Sequence, residues 1–144
     1  MVRKPKYTMK NSLILLLLFL SMSLGALAQN SHKIVFQLAT ADEKEQSSLT
    51  RQLNNVLNYW PKAEIEVVVH SGAIEFMMSE KSIAAKEIPE LMKRGVQFAV
   101  CQNTMKRKGV TEEQIISGAK YVPVGIAEIV IKQEEGFAYI KAGY

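Results

Sequence analysis

Short apolar runs alternate with helical segments along this chain, and the alternation limits its possible folds more than any other feature. The runs at 33–38, 65–69 and 96–100 are nearly continuous, which is typical of strands covered on both faces. Shorter runs at 121–122 and 137–140 predict two more strands. Strands that alternate with helices favour right-handed crossovers and a parallel sheet. The sequence therefore predicts an α/β fold: a single small doubly wound domain, with a mostly parallel sheet of about five strands and helices on both faces.

Capping and breaking residues predict where the helices begin and end. Thr40 and Glu43 match a capping box with Thr40 as the N-cap, and Pro61 ends the helix that follows. A later helix is predicted over 123–135. Its apolar spacing predicts three inward-facing side chains, those of Ile126, Ile129 and Val130.

The first 28 residues have the three parts of a secretory signal. A basic start (Arg3, Lys4, Lys6 and Lys10) precedes the apolar stretch Leu13–Leu20, and Ala26-Leu27-Ala28 supplies a cleavage pattern. We expect cleavage before Gln29, export to the periplasm or beyond, and one α/β domain over 29–144 without a stable membrane anchor. An uncleaved anchor is the alternative, because the apolar segment extended to Ala28 reaches the ~20 residues that a membrane span needs.

Removal of that segment cancels the basic charge of the chain. Of 18 Lys and Arg residues, four lie in 1–28, whereas none of the 14 Asp and Glu residues does. The remaining chain has 14 of each and no formal net charge, so no nucleic-acid or anionic-membrane partner is predicted. Its 116 residues suffice for one core without disulfide bonds.

Cys101 is the only cysteine, so it is buried and inert, paired between chains, or a free reactive thiol. It follows the third predicted strand and precedes a helical segment. A helix N-terminus stabilises a thiolate, which is the nucleophilic form of cysteine. Free cysteine is also among the residue types most often buried simply as a small apolar side chain.

Polar side chains follow two of the predicted strands, where ligands gather in parallel α/β sheets. If these two strands lie near each other, the side chains share one edge of the sheet. We predict Cys101 as the catalytic residue; the predicted ligand-binding or supporting residues are His70, Ser71, Gly72, Gln102 and Asn103. Gly72 would allow a close backbone approach. Cys101 and His70 are too few donors for a metal site, and no cofactor-binding motif is present, so neither a metal nor a cofactor is expected.

Three segments of the chain are similar to the DsrE/DsrF-like family. The first runs from Gly95-Val96 through a strand, the cysteine and a helix ending in Gly109, to Val110-Thr111-Glu112-Glu113. The others are Val122–Glu128 and Glu135–Lys141. The most specific part, 95–113, resembles the cysteine-bearing segment of the sulfur-carrier subunits DsrE and TusD. The resemblance implies a five-stranded α/β fold, a persulfide on Cys101 in sulfur relay, and homo-oligomers, often trimers or hexamers.

Three functions remain open at this point. The first is a thiol-based sulfur or redox carrier that uses Cys101 and has a sulfur-donor or acceptor protein as its partner. The second is a non-catalytic oligomeric module that binds a small ligand and in which Cys101 is merely buried. The third is an exported metal-binding protein to which several subunits contribute Cys101 and His70. The apolar run Phe76-Met77-Met78 independently predicts a homo-oligomer, because a monomer would have to cover it.

Overall fold

The computed structural model describes residues 31–143, so the predictions made for residues 1–28 lie outside the described residues. No helix within 31–143 combines the length and the apolar character needed to span a membrane. The strands are β1 (Lys33–Leu38), β2 (Glu64–Val69), β3 (Val96–Cys101), β4 (Lys120–Val122) and β5 (Ala138–Lys141). The α-helices are α1 (Glu43–Tyr59), α2 (Glu87–Lys93), α3 (Gln102–Lys108) and α4 (Gly125–Glu134), and 3-10 helices occupy Ser71–Met77 and Glu112–Gln114.

All five strands are parallel and form one sheet in the order β4-β3-β2-β1-β5. The chain adds β2, β3 and β4 on one side of β1 and then returns to place β5 on the other side. This confirms the predicted doubly wound α/β fold. The pairing of Val69 with Val100 places the ends of β2 and β3 side by side, so the strands that carry His70 and Cys101 are neighbours.

The two faces of the sheet are covered unequally. One face packs against α1, α2, α3 and the first 3-10 helix through a large apolar core that includes Leu53, Phe76 and Leu91. The other face carries a small core beneath α4, formed by Val35, Val68, Ala99, Val122, Ile129 and Phe137. Because α4 covers that face alone among the described helices, its inner side decides what lies over the middle of the sheet.

Two details of the predicted helices are wrong. The N-cap of α1 is Asp42, not Thr40: Asp42 Oδ1 accepts hydrogen bonds from the backbone N–H groups of Lys44 and Glu45 at 2.8 and 3.1 Å. A cap must directly precede the first helical residue, and Thr40 stands too early to do so. In α4, Ile129 is buried as predicted, but Ile126 and Val130 are 54% and 49% exposed.

The apolar run at residues 76–78 belongs to the core. Phe76 and Met77 have no exposed surface, and Met78 is only 6% exposed. The reason the sequence offered for an oligomer is therefore wrong, because the fold itself covers these side chains against strands and helices of the same chain.

Candidate functional site

Cys101 and His70 lie at the same edge of the sheet. Cys101 is the last residue of β3, and His70 directly follows β2, the neighbouring strand. The His70 backbone N–H donates to the Leu38 carbonyl at 3.1 Å, which continues the pairing of β2 with β1 past the end of the strand. Parallel pairing of β1, β2 and β3 thus brings together the two polar segments that the sequence analysis selected.

The Cys101 sulfur lies beneath the start of α4. The Gly125 backbone N–H donates to Cys101 Sγ at 3.3 Å. Gly125 is the first residue of α4, and the first N–H groups of a helix have no acceptor within the helix. Cys101 is only 5% exposed, so this hydrogen bond is made out of contact with bulk water.

Two opposing effects set the pKa of Cys101. Burial raises the pKa, because it disfavours the charged thiolate. The Thr104 hydroxyl, the Gly125 N–H and the backbone N–H groups of Thr104 and Asn103 lower it, and they outweigh burial, so the pKa of the Cys101 thiol lies below its usual value. The contact with Gly125 is a well-formed hydrogen bond, whereas the contacts from the first turn of α3 lack the aligned geometry of a helix cap.

The absence of a side chain at Gly125 allows this approach. A Cβ atom at Gly125 would lie 3.2 Å from His70 Cβ, 3.3 Å from Cys101 Cβ and 3.3 Å from Val68 Cγ1. Such contacts are tighter than ordinary van der Waals packing. Glycine therefore lets the first turn of α4 rest directly on the ends of β2 and β3.

Both ring nitrogens of His70 bind groups within the chain. Tyr139 Oη donates to Gln37 Oε1, and the Gln37 amide nitrogen lies 2.9 Å from His70 Nε2. His70 Nδ1 lies 2.8 Å from Ser71 Oγ. The ring is 7% exposed; burial lowers the pKa of His70, and the Arg107 guanidinium lowers it further. His70 is consequently a neutral, hydrogen-bonded imidazole beside the cysteine.

Ser71 connects this imidazole to Thr104. The φ angle of Ser71 is +54°, in the left-handed region that residues other than glycine rarely adopt. In this conformation its backbone N–H donates to Thr104 Oγ1 at 3.1 Å. Thr104 is 3% exposed and stands in the first turn of α3, next to the cysteine.

The other predicted site residues occupy different surroundings. Gly72 approaches the chain itself: its N–H donates to the Ala39 carbonyl at 3.0 Å, and a Cβ atom there would lie 3.1 Å from that oxygen. Gln102 begins α3 and is exposed. The Asn103 side chain is also exposed, while its backbone N–H donates to the Pro123 carbonyl at 3.2 Å. The structure thus brings His70 and Ser71 close to Cys101 and places Gly72 against the loop after β1.

A charge cluster around the buried Glu66 holds the later turns of α4 to the sheet. Glu66 on β2 is 1% exposed, and its Oε2 lies 3.3 Å from Lys120 Nζ and 3.8 Å from Lys132 Nζ. Lys120 also contacts Glu128 at 2.7 Å, and Lys132 contacts Glu135 at 2.8 Å. Glu128 and Lys132 follow Gly125 by three and seven residues, so all three lie on the inner side of α4.

Burial raises the pKa of Glu66, and the neighbouring Glu128 carboxyl raises it further, against the opposite effect of the two lysines. Among residues 31–143, Glu66 Oε1 has no hydrogen-bond partner, which is costly for a carboxylate and tolerable for the protonated acid. The folded protein therefore holds the Glu66 proton more tightly than the unfolded chain does, and this difference stabilises the fold. The stabilisation is fully present below the unfolded pKa and is lost as pH rises through the folded pKa.

Comparison with known proteins identifies the family of this chain. The sequence profile of the DsrE/DsrF-like family matches residues 32–142, which includes every strand and helix described above. The chain belongs to the DsrE/DsrF-like family. No curated protein sequence matches it significantly.

Solved structures share the fold of this DsrE/DsrF-like chain. A protein of unknown function, MTH1491 from Methanobacterium thermoautotrophicum, is 29% identical; the match covers 77% of this chain and 99% of that one, with a TM-score of 0.74. A conserved protein of unknown function, BT1422 from Bacteroides thetaiotaomicron, is 18% identical, and the match covers 76% of this chain and 93% of that one with a TM-score of 0.61. The second likeness concerns the fold alone.

Sequence reasoning missed three residues of this DsrE/DsrF-like site. Gly125 donates a hydrogen bond to the cysteine, Thr104 lowers the pKa of its thiol, and Gln37 binds His70. Thr104 could have been found as the residue one helical turn after the cysteine. Gly125 and Gln37 reach the site from α4 and β1, and nothing in the local sequence around Cys101 indicates either of them.

No cluster of three or more His, Cys, Asp or Glu side chains suited to a metal ion occurs within residues 31–143. The His70 Nε2 lone pair already accepts the Gln37 N–H. A metal bound by Cys101 and His70 would have to break the hydrogen bond at one of the two ring nitrogens, either to Gln37 or to Ser71.

Proposed function

We propose that this DsrE/DsrF-like protein is a sulfur carrier that holds a persulfide on Cys101. The hydrogen bond from the Gly125 N–H to the buried sulfur is the observation that supports this function. A buried cysteine that only fills space needs no donors around it, whereas a thiolate is stabilised by them. Here the Gly125 N–H donates to the sulfur at 3.3 Å, and the pKa of the Cys101 thiol is lowered in spite of burial.

The proposed reaction transfers one sulfur atom without net oxidation. The Cys101 thiolate attacks the outer sulfur of a donor persulfide, R–S–SH. A new S–S bond forms at Cys101, the S–S bond of the donor breaks, and the donor leaves as the thiolate R–S⁻. Reversal of the same step on an acceptor thiolate unloads the carrier. Thiolates are the attacking species in such exchanges, so a lowered thiol pKa favours loading at neutral pH.

Burial of Cys101 restricts which donors can react. Because only 5% of Cys101 is exposed, a thiol on a folded partner protein has poor access to its sulfur. A small persulfide or polysulfide needs only a narrow opening. Limited access also protects a thiolate from irreversible oxidation in an oxidising compartment. The same burial favours a second candidate, a small-ligand-binding module in which Cys101 is inert, and sulfur loading separates the two.

We expect Cys101 to take up sulfur from a small persulfide donor. Intact-mass analysis of the folded protein after exposure to polysulfide or glutathione persulfide should show an added sulfur atom. A reducing thiol should then remove it. Cys101→Ser is the control and should gain nothing. If the native protein stays unmodified while the denatured protein is loaded, Cys101 is an inert core residue and the binding-module function is favoured.

We further propose that the carrier works after export, as a chain beginning at Gln29. The basic start, apolar stretch and Ala26-Leu27-Ala28 pattern support this proposal. When the protein is taken from its native compartment, the same mass spectrum reports the start of the chain. A mass that still includes Leu13–Leu20 would indicate an anchored protein instead.

A homo-oligomer is proposed on a surface different from the one first predicted. On α4, Ile126, Val130 and Ile131 are 54%, 49% and 44% exposed, and Tyr139 on β5 is 43% exposed. Apolar side chains clustered on one helix face usually mark an interface. The family resemblance favours trimers or hexamers.

Light scattering of the described domain should show more than one chain per particle at micromolar concentration. Ile126→Glu should lower the particle mass, because it places a charge in the proposed interface. Ile83→Glu is a matched control, since Ile83 is 40% exposed but lies outside α4 and β5. A monomer in the unsubstituted protein would contradict the proposal.

A further inference from the structure

We propose that His70 is a positioning residue for Cys101, locked in one tautomer by Gln37. It acts on the sulfur through Ser71 and Thr104, and it is neither a base nor a charge partner of the thiolate. The inference rests on the proposed thiol chemistry for its functional meaning, but the hydrogen-bond chain that carries it is independent of that chemistry.

The direction of the chain follows from the donor and acceptor capacity of each group. In this structure the Gln37 amide oxygen accepts the Tyr139 hydroxyl, and its amide nitrogen faces His70. An amide nitrogen can only donate, so His70 Nε2 must be the unprotonated acceptor. The proton of the neutral ring is therefore on Nδ1, where it is donated to Ser71 Oγ at 2.8 Å.

The next link stabilises an unusual backbone conformation. Among residues 31–143, Ser71 is the only residue other than glycine with a positive φ, and such conformations persist when their surroundings hold them. The His70 Nδ1–H bond holds the Ser71 side chain, while the Ser71 backbone N–H donates to Thr104 Oγ1 at 3.1 Å. One residue thus receives the hydrogen bond from the imidazole and passes another to α3.

The last link is Thr104, which lies in the first turn of α3, directly after Cys101. Because Thr104 Oγ1 accepts the Ser71 N–H, its own hydroxyl proton remains available for the neighbouring thiolate. The donors follow one another from Tyr139 to Thr104, and Ser71 joins the two halves of the chain because its side chain accepts while its backbone N–H donates. The chain connects β5, β1, β2 and α3, so it links the half-exposed Tyr139 to a sulfur buried at the other side of β2.

Rescue by an uncharged hydrogen-bond donor distinguishes a positioning role of His70 from a role as a base or as a charge partner of the thiolate. Asparagine at position 70 can still donate a hydrogen bond from its side chain, but it has no basic nitrogen and carries no charge. We expect His70→Leu to slow alkylation of Cys101 by iodoacetamide at neutral pH about five-fold, the effect of losing one ordinary hydrogen bond. His70→Asn should recover most of that rate, with a pH profile parallel to that of the native protein.

His32→Leu is the matched control, because the ring of His32 stacks on Trp60 at 4.0 Å, outside the chain of hydrogen bonds. Its alkylation profile should equal that of the native protein. Equal losses in His70→Asn and His70→Leu would make His70 a base or charge partner and overturn the proposal. An unchanged rate in His70→Leu would mean that the ring only fills space, which also overturns it.

Nitrogen-15 NMR tests the tautomer without any reaction at Cys101. The chain has two histidines, so the His70 signals are assigned by comparison with His32→Leu. We expect a neutral His70 ring protonated on Nδ1, and a shift toward a mixture of tautomers in Gln37→Leu. Protonation on Nε2 in the native protein would overturn the proposal. If Cys101 proves unreactive while the Nδ1–H tautomer is found, the proposed sulfur chemistry fails and the positioning geometry stands.

Discussion

Thr104→Val should slow alkylation of Cys101 at neutral pH by about ten-fold or more. The substitution keeps the shape of the side chain and removes the hydroxyl, the largest of the interactions that lower the pKa of this thiol. A hydrogen bond to a charged group contributes ~1.5–3 kcal/mol, and a factor of ten in thiolate population corresponds to ~1.4 kcal/mol. The alkylation rate measured across a pH series should therefore rise at a higher pH than in the native protein.

The pH dependence of stability gives an independent reading of the same thiol. Since the folded pKa of Cys101 is lowered, its contribution to stability is present above the unfolded pKa and is lost as pH falls through the folded value. Thr104→Val should reduce this dependence. Thr50→Val serves as the control, because its hydroxyl donates to the Ser47 carbonyl within α1. An alkylation profile unchanged by Thr104→Val would show that the hydroxyl does not act on the sulfur.

Gly125→Ala should destabilise the fold by about 1–3 kcal/mol, the usual cost of adding a methyl group to a tightly packed site. The new Cβ atom would press against His70 Cβ, Cys101 Cβ and Val68 Cγ1 at 3.2–3.3 Å. Relief of these contacts requires the first turn of α4 to move away from the sheet. Chemical denaturation measures the loss of free energy of unfolding, and the rate of Cys101 alkylation reports the weakened Gly125 N–H bond.

Ala127→Ser is the control for Gly125→Ala. It adds one heavy atom to an exposed position two residues further along the same helix, so its free energy of unfolding should change by less than ~0.5 kcal/mol. If Gly125→Ala has the same stability and thiol reactivity as the unsubstituted protein, the first turn of α4 is not held tightly against β2 and β3.

The inner side of α4 affects both the reactivity of the thiol and the stability of the fold. Gly125 meets the sulfur, and Glu128 and Lys132 join the charge cluster around the buried Glu66. Each strand residue advances ~3.3 Å along β2. Glu66 precedes His70 by four residues, so it lies about 13 Å from the end of β2 near the sulfur. The charge cluster and the glycine contact therefore fix α4 at two separated points.

The strand pattern predicted the fold because fully covered parallel strands leave a local signal. The runs 33–38, 65–69 and 96–100 are apolar throughout, and they became β1, β2 and β3 with bounds that differ by one residue at most. The same logic placed Cys101 at the end of a strand and at the start of a helix. These features depend on neighbours in the chain, so the sequence alone suffices to predict them.

The inward side of α4 was less predictable. Spacing alone favoured Ile126, Ile129 and Val130 as inward residues, but only Ile129 is buried. The helix instead turns Lys132 toward the buried Glu66 carboxyl on β2 and Glu128 toward Lys120. Because an apolar pattern carries no information about a charged partner distant in sequence, the direction of this helix face depended on Glu66.

By itself the sequence determined the α/β alternation, the position of the single cysteine and the polar residues that follow β2 and β3. Only the tertiary structure decided what surrounds the sulfur. Gly125 follows Cys101 by 24 residues, and Gln37 precedes His70 by 33. The sheet order brings these residues together, because β1 lies beside β2 and the first turn of α4 rests on the ends of β2 and β3. Pairing and packing between distant segments create the thiol's environment, and they depend on the whole chain at once.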